Sequence, residues 1–180
     1  MTSIRNIFSI ITILLFTSTL SFGQTLTTDP ETKKVSFQET VPIDSIEKTD
    51  LYERAVEWMT AFYKTNKFDV NDKVNYKLAN EGYFSVIYTY DFKYKSDNTI
   101  TYNITINLKD GKYRYTITDF KIYDVKLGPK TAQTMEIYYS KMKTASKGEF
   151  TNKFNKEVNL IIEDLKKYMI TGKGEDKEDW

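Results

Sequence analysis

Residues 84–123, FSVIYTYDFKYKSDNTITYNITINLKDGKYRYTITDFKIY, are written almost throughout in a two-residue period. Even positions run Phe84, Val86, Tyr88, Tyr90, Phe92 and Tyr94, then Ile100, Tyr102, Ile104, Ile106 and Leu108; Ser85, Thr89, Asp91, Lys93, Thr101, Asn103, Thr105 and Asn107 stand between them. Alternation of this length marks half-buried strands with one apolar and one polar face. Asp110-Gly111 is a two-residue turn that tolerates positive φ, which sets Leu108 opposite Tyr113, Ile106 opposite Tyr115 and Ile104 opposite Ile117. Ser96-Asp97-Asn98 reads as a three-residue loop that pairs Tyr94 with Ile100, Phe92 with Tyr102, Tyr90 with Ile104 and Tyr88 with Ile106. Each large apolar side chain buried contributes roughly 1.5–3 kcal/mol, so a one-residue slip, which turns the whole set to water, is excluded.

Toward the N-terminus, Val35, Phe37, Glu39 and Val41 alternate loosely and Pro42 suits the end of an edge strand. Leu51, Ala55, Trp58, Met59 and Phe62 recur at helical spacing and predict a helix from about Asp50 to Thr65, capped by Thr49. Asp69 to Asp72 reads as a turn, Val74, Tyr76 and Leu78 as a short second strand, and Asn80-Glu81-Gly82 as the turn into the meander. Asp69-Val70-Asn71-Asp72 lacks the glycine and terminal glutamate of a calcium loop, and no metal site is assigned. Toward the C-terminus, Leu127-Gly128-Pro129 is a break, and Met135 to Lys143 fits either a short helix or an irregular cover. Phe150, Phe154, Val158, Ile161, Leu165 and Met169 then form one helical stripe, ended by Gly172.

The expected order is strand, helix, four strands, helix: an α+β domain over residues 34–171, with both helices on the apolar face of an antiparallel sheet. Residues 24–33 read as a flexible lead and 172–180 as a disordered charged tail.

Residues 1–23 combine a positive start through Arg5, the apolar run IFSIITILLF and Ser21-Phe22-Gly23 before Gln24. That is the pattern of a cleaved signal peptide, with the cut between Gly23 and Gln24, and the run is too short to span a bilayer. The expectation is export to the periplasm or beyond the cell, with no membrane span in the mature chain. Without Arg5 the chain carries 25 basic and 25 acidic residues, a balance that argues against nucleic acid as a partner. The absence of cysteine removes disulfides, thiol chemistry and a lipoprotein anchor. The absence of histidine removes the Ser-His-Asp triad and the usual zinc sets. No cofactor is expected.

Leu51-Tyr52, Ala55 and Trp58 on the first helix, with the run KDGKYRYTITDF over residues 109–120, resemble the bacterial family known as domain of unknown function 4468, over roughly Val35 to Ile122. The resemblance implies a curved, TATA-binding-protein-like antiparallel sheet backed by two helices, and brings no activity and no functional residues. DNA binding in the manner of the TATA-binding protein needs basic residues and apolar wedges on the sheet face. The expected rows of that face are Ile87–Asn107–Arg114, Thr89–Thr105–Thr116 and Asp91–Asn103–Thr118, which do not suit a polyanion.

This polar face is the candidate site. Asp91, Asn103, Thr105, Arg114 and Thr116 could hold a polar ligand, a glycan or a peptide, by hydrogen bonds; otherwise they are ordinary solvent-side sheet residues. Asp119 breaks the alternation, since Tyr113 parity would bury it while Phe120 and Ile122 take the other parity. A β-bulge near Thr118-Asp119 resolves both facts; the alternative is a buried carboxylate with raised pKa. The expected function is a non-catalytic envelope or secreted binding module whose partner is a polar ligand or an envelope protein. A second reading is an interaction domain pairing through the edge strand Val35 to Val41. A third is a hydrolase using Asp91 and Asp119.

Overall fold

A computed structural model describes residues 25–90 and 93–172. The leader, Asp91, Phe92 and the tail beyond Gly172 lie outside the described residues. The order is β1 (Phe37–Pro42), α1 (Lys48–Tyr63), β2 (Val70–Asp72), β3 (Lys77–Tyr90), β4 (Tyr94–Lys109) and β5 (Lys112–Asp124). A 3-10 turn (Pro129–Thr131), β6 (Gln133–Thr134), α2 (Met135–Lys141) and α3 (Thr144–Thr171) follow. The strands form one antiparallel sheet in the order β1-β5-β4-β3-β2, with β6 beside β1 on β5. The chain is therefore α+β, and its described residues form an open six-stranded sheet and three α-helices.

The β4–β5 hairpin has the expected register: Leu108 faces Tyr113, Ile106 faces Tyr115 and Ile104 faces Ile117. Gly111 takes φ 71° at the turn. The turn is also tied to the chain before α1, because Ile43 N–H donates to Gly111 O at 2.8 Å and Gly111 N–H to Ile46 O at 3.0 Å. Asp110 then accepts the Lys48 N–H at 2.9 Å. The helix thus starts at Lys48 with Glu47 in the N-cap position and no side-chain cap of its own. Thr49 lies inside the first turn, and the cap comes from a hairpin distant in sequence.

The β3–β4 register differs from the expectation. Ser96-Asp97-Asn98 is not a loop; these residues lie in β4, and Tyr90 pairs with Tyr94, Tyr88 with Ser96, Phe84 with Ile100 and Leu78 with Ile106. Asn98 is buried, donates to Ser96 Oγ at 2.9 Å and accepts from the Tyr138 hydroxyl at 3.4 Å. A partner on α2 therefore holds a residue whose local preference is a turn. The longer β3 also absorbs Asn80-Glu81-Gly82. Gly82 stands mid-strand because a Cβ there would come within 2.5 Å of the Tyr102 ring and 2.7 Å of Tyr63. The short second strand falls at Val70–Asp72, where a turn was expected. The actual turn is residues 73–76, held by the Asp72 carboxylate, which accepts from Val74 and Asn75 N–H, both at 3.0 Å.

The bulge is where the parity demands it. Asn103 pairs with Thr118 and Thr101 with Lys121, so Asp119 and Phe120 oppose the single residue Tyr102. Asp119 takes φ 56°, a left-handed conformation that aspartate tolerates better than most residues, and Phe120 and Ile122 return to the core.

The core lies between the apolar sheet face and the helices. Leu51, Ala55, Trp58 and Met59 of α1 meet Phe150, Phe154, Val158, Leu165 and Met169 of α3 over the tyrosines and isoleucines of β4 and β5. Trp58 Nε1 donates to the Asp164 carboxylate at 2.7 Å. Gly172 ends α3 at φ 68°, and Arg54 Nη1 donates to the Met169 and Ile170 carbonyls at 2.7 and 3.0 Å, satisfying acceptors that a helix end leaves open. The expected flexible lead is in part folded: Thr28 bridges Val35, Asp29 N–H donates to Lys34 O at 2.8 Å, and Leu26 joins the core. Met135 to Lys141 is a short helix whose Met135 is buried.

Candidate functional site

Among the described residues no helix covers the second face of the sheet, which carries the residues between the buried ones. The corrected register gives its rows. Thr40 lies beside Arg114, Asn107 and Lys77; Gln38 beside Thr116, Thr105 and Ala79; and Thr118 beside Asn103 and Glu81. Four of the five expected ligand-binding residues, Asn103, Thr105, Arg114 and Thr116, therefore share this face, and Thr105 pairs directly with Thr116. Asp91 lies outside the described residues, and Glu81 occupies the place beside Asn103 that the expected register assigned to it. Likewise Lys77 replaces Ile87 beside Asn107, and Ala79 replaces Thr89 beside Thr105.

Neighbouring side chains already hold part of this face. Thr116 Oγ1 donates to Gln38 Oε1 at 3.0 Å and Thr118 Oγ1 to the Val35 carbonyl at 3.3 Å. Asp119 pairs with Lys34 Nζ at 2.6 Å. The Lys34 hydrogen bond is the main reason its carboxyl is held below the ordinary value of 3.8, with a smaller contribution from the Asn103 side chain. The buried, raised-pKa carboxylate is thus corrected: Asp119 is a half-exposed, ionised partner at a bulge.

At the hairpin end of the face, Thr40, Asn107, Lys109, Lys112 and Arg114 border a cleft of about 230 Å³. Lys109, Lys112 and Arg114 make no ion pair among the described residues. Sequence reasoning picked out Arg114 but not this cluster. Lys109 and Lys112 flank the turn and looked like ordinary hairpin lysines, whereas the parity that places them with Arg114 was available in the sequence. Among the described residues no group of three or more acidic side chains is arranged to hold a metal ion. Nor is any described helix long and apolar enough to cross a membrane.

On the opposite face, Tyr63 and Tyr102 hydroxyls meet at 3.1 Å over Gly82, and burial pushes Tyr102 up to about 12. Tyr115 donates to Glu39 at 2.8 Å and Lys166 pairs with the same carboxylate at 2.5 Å, which lowers the Glu39 pKa chiefly through Lys166. These are structural contacts of the core rim. Tyr83 is 76% exposed, while Tyr138 and Tyr139 pack against the core.

A family profile described as a domain of unknown function (DUF4468) with TBP-like fold matches residues 37–123, from the start of β1 to the end of β5. Among solved structures, a DUF4468 family protein from Bacteroides ovatus ATCC 8483 is similar at TM-score 0.64 and 14% identity, covering 82% of this chain and 91% of that one. A TBP-like protein from Parabacteroides distasonis ATCC 8503 is similar at TM-score 0.56 and 18% identity, covering 77% of this chain and 94% of the other. At these identities the likeness concerns the fold. A comparison with curated proteins found no match.

Proposed function

Since residues 37–123 match the profile of a domain of unknown function (DUF4468) with TBP-like fold, we propose from the geometry that the chain is a non-catalytic module binding a polar ligand on the open sheet face. The observation that carries this reading is the uncovered face itself, where Asn103, Thr105, Arg114 and Thr116 stand in adjacent rows of hydrogen-bonding side chains. The cations Lys109, Lys112 and Arg114 at its end, which make no ion pair among the described residues, favour a ligand that bears negative charge or is rich in acceptors, such as an acidic glycan. The signal-peptide pattern of residues 1–23 supports export to the periplasm or beyond the cell, where such glycans are met. A hydrolase centred on Asp119 has little in its favour, because that carboxylate is ionised and paired with Lys34.

The test is an amide-resolved NMR titration with tetragalacturonate, its neutral counterpart maltotetraose and duplex DNA. The expected result is shifts at Asn103, Thr105, Arg114 and Thr116 with the acidic sugar, abolished by Arg114→Ala without change in the folded spectrum. Shifts scattered over the surface, unchanged binding by the variant, or equal response to DNA would reject the reading. A second reading rests on β1, the strand at one edge of the sheet. Partner-induced protection of amides along Phe37 to Val41 in the same spectra would favour it.

A further inference from the structure

The other edge of the sheet carries a gap. β3 runs from Lys77 to Tyr90, but β2 pairs only with Lys77 to Ala79. Farther along, side chains close the edge. Asp69 accepts from Glu81 N–H at 2.9 Å, Lys153 Nζ donates to Ile87 O at 2.7 Å, and Glu149 accepts from Thr89 N–H at 3.2 Å. In an antiparallel strand every second residue turns both backbone groups to the same side. Residues 81, 87 and 89 therefore mark the odd residues as outward-facing, which is consistent with the Tyr76 carbonyl turning inward to Leu108 N–H at 3.0 Å. Tyr83 and Ser85 lie between these plugs, and no contact among the described residues occupies their outward N–H and C=O groups.

The gap opens onto a groove of about 480 Å³ between α1, α3 and β3. Phe62, Phe84, Tyr102, Leu160 and Ile161 supply apolar wall, with Phe62 37% and Leu160 50% exposed. The rim is acidic: Glu157, Glu163 and Asp164 against Lys167. Asp164 is engaged by Trp58, whereas Glu157 and Glu163 make no ion pair among the described residues.

We propose that the Tyr83–Ser85 edge with this groove receives a short extended peptide, basic and carrying one aromatic or aliphatic side chain, which adds to β3 as a further strand. The free N–H and C=O groups of Tyr83 and Ser85 pair with the peptide backbone. The plugs at Glu81 and Ile87 limit the paired segment to about three to five residues. Because strand side chains alternate, the apolar one enters the groove and basic neighbours two positions away reach Glu157 and Glu163. This site is separate from the open face and stands or falls independently of the glycan reading. Beside β1, the cleft at Thr40 is smaller, about 230 Å³, and bordered by Lys109, Lys112 and Arg114, so a strand added there would lack an apolar side-chain anchor.

The experiment uses the chain from Gln24 to Trp180, isotope-labelled, and the blocked peptide acetyl-Lys-Thr-Phe-Thr-Lys-amide. Three further peptides are compared: one replaces lysine by glutamate, and two carry N-methyl groups at alternate amides, one in each phase. The expected result is saturable shifts at Tyr83, Ser85 and Leu160, with affinity weakened about tenfold or more by the glutamate exchange and by one N-methyl phase. Leu160→Asp, at an exposed position, should weaken binding while leaving the melting temperature unchanged. No saturable shift, equal binding of all peptides, or binding insensitive to Leu160→Asp overturns the proposal. Tyr83 and Ser85 amides already protected from exchange in the free chain would also overturn it; protection that grows with protein concentration would show that a second copy takes the edge instead.

Discussion

Asp119 is the residue on which the central hairpin turns. Its φ of 56° flips the strand's faces, and its carboxylate is stabilised by Lys34 and Asn103. Asparagine tolerates the same backbone conformation, so Asp119→Asn tests the charge alone, whereas alanine adds a left-handed penalty of roughly 1–2 kcal/mol. A carboxyl held below 3.8 in the folded state contributes stability that is present at neutral pH and lost as pH falls through its folded value. Asp119→Asn should therefore melt lower than the parent at pH 7, by a small margin for so exposed a pair, and the two curves should converge in strong acid. Thermal melts across pH check this; a difference that does not shrink as pH falls into strong acid would assign the effect to the backbone. Gly82 shows the opposite use of a special residue. Its φ is ordinary, and it is required by the approach of Tyr102 and Tyr63.

Among the elements, the 110–111 turn joins three parts of the fold. It closes β4 on β5, accepts and donates backbone bonds to the chain after β1, and caps α1 through Asp110. Asp110→Ala should leave the hairpin register intact and cost about 0.5–2 kcal/mol, the usual loss for an N-cap. Denaturant unfolding with an unchanged m-value, together with faster exchange of the Lys48 amide, is the expected signature; an unaltered Lys48 amide would mean that the cap is not used. The stripe of α3 and the αL stop at Gly172 follow the helical period without exception. β2 and β3 do not follow their local signals, because an edge pairing at Val70–Asp72 and a buried amide network around Asn98 outweigh the turn preferences of those residues.

Across the whole molecule, the family match ends at residue 123 while α3 supplies six apolar side chains of the stripe that closes the core. The matched sheet and first helix thus depend on an element outside the match. The proposed export also belongs to this scale: intact mass of the protein recovered from the cell envelope or medium should correspond to a chain beginning at Gln24, and a mass that retains residues 1–23 would refute the cleavage. The sequence alone determined which residues share a face, the Asp110-Gly111 hairpin, the flip at Asp119 and the α3 stripe. Each depends on a two-residue or 3.6-residue period, or on one residue's tolerance of positive φ, and such signals are local. Only the tertiary structure decided how far β3 slides along β4. A slip by an even number of residues keeps every apolar side chain on the same face, so the alternation is blind to it. That slide in turn decided which residues neighbour Asn103 and Asn107 on the open face, and where the edge of β3 is left unpaired beside the groove.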